Sequence, residues 1–225
     1  MGISKWMPSI LTFTNLSLGF LALVLLYTGN ERMALSLVIL ALCFDGVDGR
    51  LARKLNVTAV FGKELDSLSD NFSFGIVPAY FYVVHQSEIT SLHLVLALVF
   101  LICGTFQVAK YNTDFLYGSS ENVLLGLPIN VAGIMVAIMS YMTIFPIYVE
   151  ALIIVILSIL MVPEIPYPSL KGYQPTKKIH FLLPILTAII FIVFPIVTFA
   201  MLSLYVLIGL INAFFNVDVL QKSNQ

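Results

Sequence analysis

MALSLVILALCFDGVDGRLARKLNVTAVFGKELDSLSD, residues 33–70, begins as an uncharged run suited to lipid and ends as a cluster of acids. No charge falls between Met33 and Phe44, and then five of the chain's twelve acidic residues lie between Asp45 and Asp70. The apolar half sets the solvent. Of 225 residues, 60% are hydrophobic and only 10% charged, with a mean hydropathy of +1.00. A water-soluble domain carries about 25% charged residues, so an ordinary soluble protein is excluded.

Working outward, apolar stretches long enough to cross a hydrocarbon core about 30 Å thick recur along the chain. They predict an all-α, polytopic membrane protein with about eight transmembrane helices, near 9–28, 33–52, 67–86, 91–110, 124–142, 146–162, 181–197 and 199–216. The first stretch has no clear small-residue cleavage site and reads as a retained helix. Cys43 and Cys103 lie inside apolar spans without metal-thiolate spacing, and read as packing residues. Without an internal repeat or a second composition, residues 1–225 read as one membrane domain.

Charge orients the bundle. With both termini on the cytoplasmic side, Lys5, Arg50, Arg53, Lys54, Lys63, Lys110, Lys171, Lys177, Lys178 and Lys222 lie inside and only Arg32 outside, a strong positive-inside signal. Residues 162–180, with Pro163, Pro166, Pro168 and three lysines, read as a cytoplasmic linker with electrostatic anchoring. His85 and His93 fall at the opposite end. No nucleic-acid partner is expected; membrane lipids are.

Asp45 and Asp48 are three residues apart and Asp66 and Asp70 four apart, so each pair shares one helical face. Two facing helices then present four carboxylates near one membrane boundary. Crowded like charges repel, and intramembrane carboxylates usually mark an ion or substrate site. A divalent cation, or two clamping a phosphoryl group, is the natural compensation; magnesium and manganese favour oxygen ligands. Gly46, Gly49 and Gly62 allow close approach of a ligand or of another helix. Ala52 extends the small face, Arg53 offers a donor fork suited to phosphate, and Lys63 adds positive charge. Each of these alone has a plainer reading, as helix packing or a solvated charge. Together they describe a metal-diphosphate site. Thr12 and Asn15, three apart on the first span, either bond a nucleotide or phosphate or make an interhelical polar contact.

Asp45, Asp48, Gly49, Ala52, Arg53, Gly62, Asp66 and Asp70 occupy every fixed position of DxxDGxxARx8Gx3Dx3D. In this the chain resembles the CDP-alcohol phosphatidyltransferase family. The resemblance continues in Pro8–Asn15, similar to PNxxTxxN with Ser9 in the asparagine place, in GKELDSLSDNFSFGIVPAY at 62–80, and in Gly126-Leu127-Pro128. It covers about residues 5–135.

The resemblance implies a six-helix core, a CDP-linked lipid donor, Mg2+ or Mn2+, CMP as product and usually a homodimer; the spans that hydropathy places at 181–216 are then two additional C-terminal ones. By position, Asp45, Asp48, Asp66 and Asp70 would hold metal, with Asp70 also the general base. Asp48, Gly49, Ala52, Arg53 and Gly62, with Thr12 and Asn15, would meet the cytidine and diphosphate. Residues 62–80 are most similar to members that use L-serine, on diacylglycerol or archaeal ether lipid. Gln107 stands where the pattern CGxxRxxRFN has its first arginine, a natural partner for the serine carboxylate; Lys63 and Lys110 are the other acceptor candidates. Glycerol phosphate or inositol phosphate are the alternative acceptors, and a cation transporter is the rival class. All four aspartates sit near one membrane face, which disfavours the transporter.

Overall fold

A computed structural model describes residues 6–55, 60–86, 88–116, 123–168 and 189–215. Helix α1 (Met7–Tyr27) starts with Pro8 in its first turn, where a missing N–H costs no hydrogen bond. A short turn with Gly29 at φ 78° returns the chain into α2 (Glu31–Lys54). Helix α3 (Val60–Asp70) runs through a π-helical segment, Asn71–Ile76, into α4 (Val77–His85). Then come α5 (Ser91–Leu116), strand β1 (Val123–Leu125), α6 (Ile129–Met142), α7 (Ile147–Met161), strand β2 (Pro166–Pro168) and α8 (Pro195–Phe215).

The π segment has a local cause. Pro78 has no N–H to give the Phe74 carbonyl, and just before it the Val77 N–H reaches back five residues to the Phe72 carbonyl. Two glycines seat this widened turn. Gly19 of α1 packs on Ser73, and Gly133 of α6 packs on the Phe74 carbonyl, where a Cβ would collide with backbone. Lipid offers no hydrophobic force between helices, so such close approach is what holds them together.

Two apolar clusters fill the bundle. Ala22, Val38, Ile39, Phe74, Phe81, Ile134 and Ile138 join α1, α2, α4 and α6 around the π segment. Phe100, Met135, Met139, Ile154, Leu157 and Met161 join α5, α6 and α7. Cys43 and Cys103 are free thiols.

The all-α class stands, but the expectation of about eight membrane-crossing helices is corrected. Among the described residues three helices are long and apolar enough to cross: Met7–Tyr27, Ser91–Thr113 and Pro195–Ala213. Their exposed Phe20, Leu98, Ile102, Leu204 and Leu207 are side chains suited to lipid, and the chain is an integral membrane protein. The second expected span is helical but carries acids and bases along its final turns. The third starts among the charges of α3 and is broken by the π segment. Helices α6 and α7 have 14 and 15 residues, about 21–23 Å of rise against a core of about 30 Å. Most of the span expected at 181–197 lies outside the described residues, and one continuous helix runs from Pro195 to Phe215.

The expected start of a span at 124 is also displaced. Val123–Leu125 pairs antiparallel with Pro166–Pro168, inside the stretch read as linker. Gly126, at φ 84°, donates its N–H to the Ile165 carbonyl at 2.9 Å, and Leu127 donates to Leu160 at 2.9 Å. This clasp fixes where α6 begins.

Candidate active site

Asp45 and Asp48 lie on the last turns of α2, and Asp66 on α3. Each offers a carboxylate oxygen within 4.8 Å of the other two. Asp48 is 3% exposed. Its Oδ2 accepts the Thr12 hydroxyl at 2.8 Å, while its Oδ1 is buried with no side-chain partner among the described residues. A buried carboxylate oxygen left without a donor carries a large desolvation penalty, and two neighbouring carboxylates add repulsion. A divalent cation relieves both, so the donor set fits an oxygen-seeking metal. The three acids can coordinate one.

Asp70 closes α3 next to this trio without joining it. Its Oδ1 accepts from Asn15 Nδ2 at 3.0 Å, and Asn130 Nδ2 stands 3.5 Å from its Oδ2. The same Asn130 nitrogen donates to Asp45 Oδ2 at 2.8 Å. Thr12 and Asn15 thus face carboxylates, the interhelical contact that their spacing allowed. Thr12 is a node: its hydroxyl holds α2 at Asp48, and its carbonyl accepts the Ser69 hydroxyl of α3 at 3.1 Å. Ser73 likewise donates to the Asn15 carbonyl at 3.3 Å.

The glycines divide by what surrounds them. A Cβ at Gly46 or Gly62 would meet no atom of the described residues within 4 Å, so neither is needed for packing among the described helices. Gly49 and Ala52 lie on α2 beyond Asp48. Arg53 belongs to the same helix, and its side chain lies outside the described part.

Each of the three acceptor candidates has a partner in the fold. Gln107, 5% exposed, accepts the backbone N–H of Ile129 at 3.4 Å and so caps the start of α6. Lys110 pairs with Glu164 at 3.1 Å. Lys63 lies 5.0 Å from the centre of the Tyr111 ring, within cation–π range. Below them a polar chain joins α3 to α5: Ser67 donates to Asn112 Oδ1 at 3.0 Å, and Asn112 to Glu64 at 3.3 Å.

Sequence reading missed Asn130. Its one signal was position, two residues after the Gly126-Leu127-Pro128 motif. At the opposite end of α2, Glu31 meets His85 at 3.1 Å.

A family model described as CDP-alcohol phosphatidyltransferase matches residues 5–163. The chain belongs to that family. The acids of this CDP-alcohol phosphatidyltransferase come together as the family signature implies for Asp45, Asp48 and Asp66. Among its relatives, the archaetidylserine synthase of Methanothermobacter thermautotrophicus is 34% identical over 171 residues, covering 74% of this chain and 71% of that one. The CDP-diacylglycerol–serine O-phosphatidyltransferase of Helicobacter pylori is 30% identical over 219 residues, covering 92% and 91%. The protein of that name in Bacillus subtilis is 33% identical over 170 residues, covering 75% and 93%.

Proposed function

We propose that the chain transfers the phosphatidyl group of a CDP-linked lipid to the hydroxyl of L-serine and releases CMP. The observation that carries this reading is the carboxylate trio at signature positions, Asp45, Asp48 and Asp66, whose oxygens lie within 4.8 Å of one another. The names of the three relatives support serine as acceptor and divide between diacylglycerol and archaeal lipid for the donor.

In this reading Asp45, Asp48 and Asp66 hold the divalent metal, Mg2+ or Mn2+ and two ions in all, with Asp70 at its edge. The metal, when bound, offsets the negative charge of the donor's diphosphate. Gly49, Ala52 and Arg53 on α2 and Gly62 on α3 line the diphosphate, and Gly62 is free of contact with the other described residues where a Cβ would stand. Asp70 takes the serine hydroxyl proton. With Asn15 on Oδ1 at 3.0 Å and only a 3.5 Å contact on Oδ2, the second oxygen has the freer lone pair. The serine oxygen bonds to the phosphatidyl phosphorus as that phosphorus parts from the CMP oxygen. Lys63 and Lys110 supply positive charge for the serine carboxylate, while Gln107 serves α6. The site faces the cytoplasm, in line with ten of eleven basic residues, and the protein works as a homodimer in a prokaryotic membrane.

The test is CMP release by purified protein with CDP-diacylglycerol and Mn2+, comparing L-serine, glycerol 3-phosphate, inositol phosphate and no acceptor, with Asp70→Asn as control. Serine-dependent release supports the reading. Release with another acceptor moves the specificity, and none with any acceptor overturns it.

A further inference from the structure

We propose that Asn130 is a positioning residue that sets the carboxylate of Asp45 for metal and couples it to Asp70. The inference rests on the functional reading above only in taking the aspartate trio as a metal site.

A primary amide nitrogen carries two hydrogens. From α6, Asn130 Nδ2 gives one to Asp45 Oδ2 at 2.8 Å, on α2, and stands 3.5 Å from Asp70 Oδ2, on α3. One uncharged group thus serves two acids on different helices. A lysine here would neutralise an acid and compete with the cation; an apolar residue would take this hydrogen bond away from Asp45. The amide does neither. The bond to Oδ2 favours one orientation of the Asp45 carboxylate, and outer-shell bonds of this kind orient ligands and raise affinity.

The reach of Asn130 is itself held. Gly133, one turn on, docks α6 against the Phe74 carbonyl, and Gln107 caps α6 through the Ile129 N–H. The π segment therefore bears on both ends of this contact: it follows Asp70 directly and supports the helix that carries Asn130. Asn15 completes the arrangement by holding the other oxygen of Asp70 from α1.

The experiment measures Mn2+ binding to the full-length protein in detergent by electron paramagnetic resonance, alongside its melting temperature and, separately, CMP release. Asn130→Leu keeps the branched shape and removes the donors; Asn130→Gln keeps the amide. Leucine is expected to weaken Mn2+ binding by about tenfold or more with the fold intact, and glutamine to restore part of it. Unchanged Mn2+ binding in Asn130→Leu overturns the inference. Should the leucine variant not assemble, Asn130→Ala is read the same way. A wild type that binds Mn2+ but releases no CMP would sink the functional reading and leave this comparison standing.

Discussion

The hydroxyl of Thr12 lies 2.8 Å from Asp48 Oδ2 and 3.1 Å from the Pro8 carbonyl, so its single hydrogen has a charged and a neutral acceptor, with the charged one closer. Hydrogen bonds to charged groups contribute about 1.5–3 kcal/mol. Thr12→Val keeps the shape and removes the donor. We expect CMP release to fall by about 10-fold to 100-fold, measured at saturating Mn2+; an unchanged rate would show that Asp48 needs no such support.

Removing a member of the trio is more severe. Asp66→Asn keeps the volume of the side chain but takes away one of three charges that share a 4.8 Å space. The expected loss in turnover is at least about 10²-fold, and chelation of wild-type protein with EDTA should abolish release until Mn2+ is restored. Turnover of the variant near wild type would remove the carboxylates from the mechanism.

Gly62→Ala separates ligand space from packing space. The new methyl meets no atom of the described residues within 4 Å, and alanine is favoured over glycine in a helix by about 1 kcal/mol. The melting temperature should hold or rise while KM for the CDP-lipid increases. A normal KM would mean that the opening beside Gly62 is not where the donor sits.

Gly133→Ala should behave in the opposite way. A Cβ there runs into the Phe74 backbone, and overpacking of this kind costs about 1–3 kcal/mol or more. Lower yield and a lower melting temperature in detergent are expected. If stability were unaffected, α6 would have to move away from the π segment, contrary to the packing described.

Gln107→Arg places the residue of the resembled pattern where this chain departs from it. Arginine has no acceptor, so the Ile129 N–H would lose its partner and a charge would enter a buried position. We expect the variant to be less stable than wild type, with Gln107→Met losing a smaller amount, about 1–3 kcal/mol. An arginine variant as stable as wild type would show that α6 does not depend on this cap.

What was legible in the sequence follows from periodicity. Asp45 and Asp48, like Thr12 and Asn15, lie one turn apart, so helix geometry alone puts each pair on one face. The helical class was legible for the same reason. The number of crossings was not, because hydropathy scores α6 and α7 as apolar without recording that they stop at 14 and 15 residues. Nor was the strand pair, three residues a side, one of them flanked by prolines that read as linker. Asn130 was hidden by distance along the chain: it meets Asp45 across 85 residues, and no local pattern ties the two. Pro78 was visible, yet whether a proline kinks, ends or widens a helix depends on what packs against the released carbonyl, here Gly133.

Thr12 and Asn15 tie the acids to α1, Asn130 ties them to α6, and Ser69 joins α3 to the Thr12 carbonyl, so occupancy of the site and survival of the bundle are thermodynamically linked. A cation that binds the assembled carboxylates but not the dispersed chain raises stability by about 2.7 kcal/mol at a hundredfold excess over its Kd. Depletion of metal would then be felt along α1, as faster amide exchange in a helix that contributes no acid of its own.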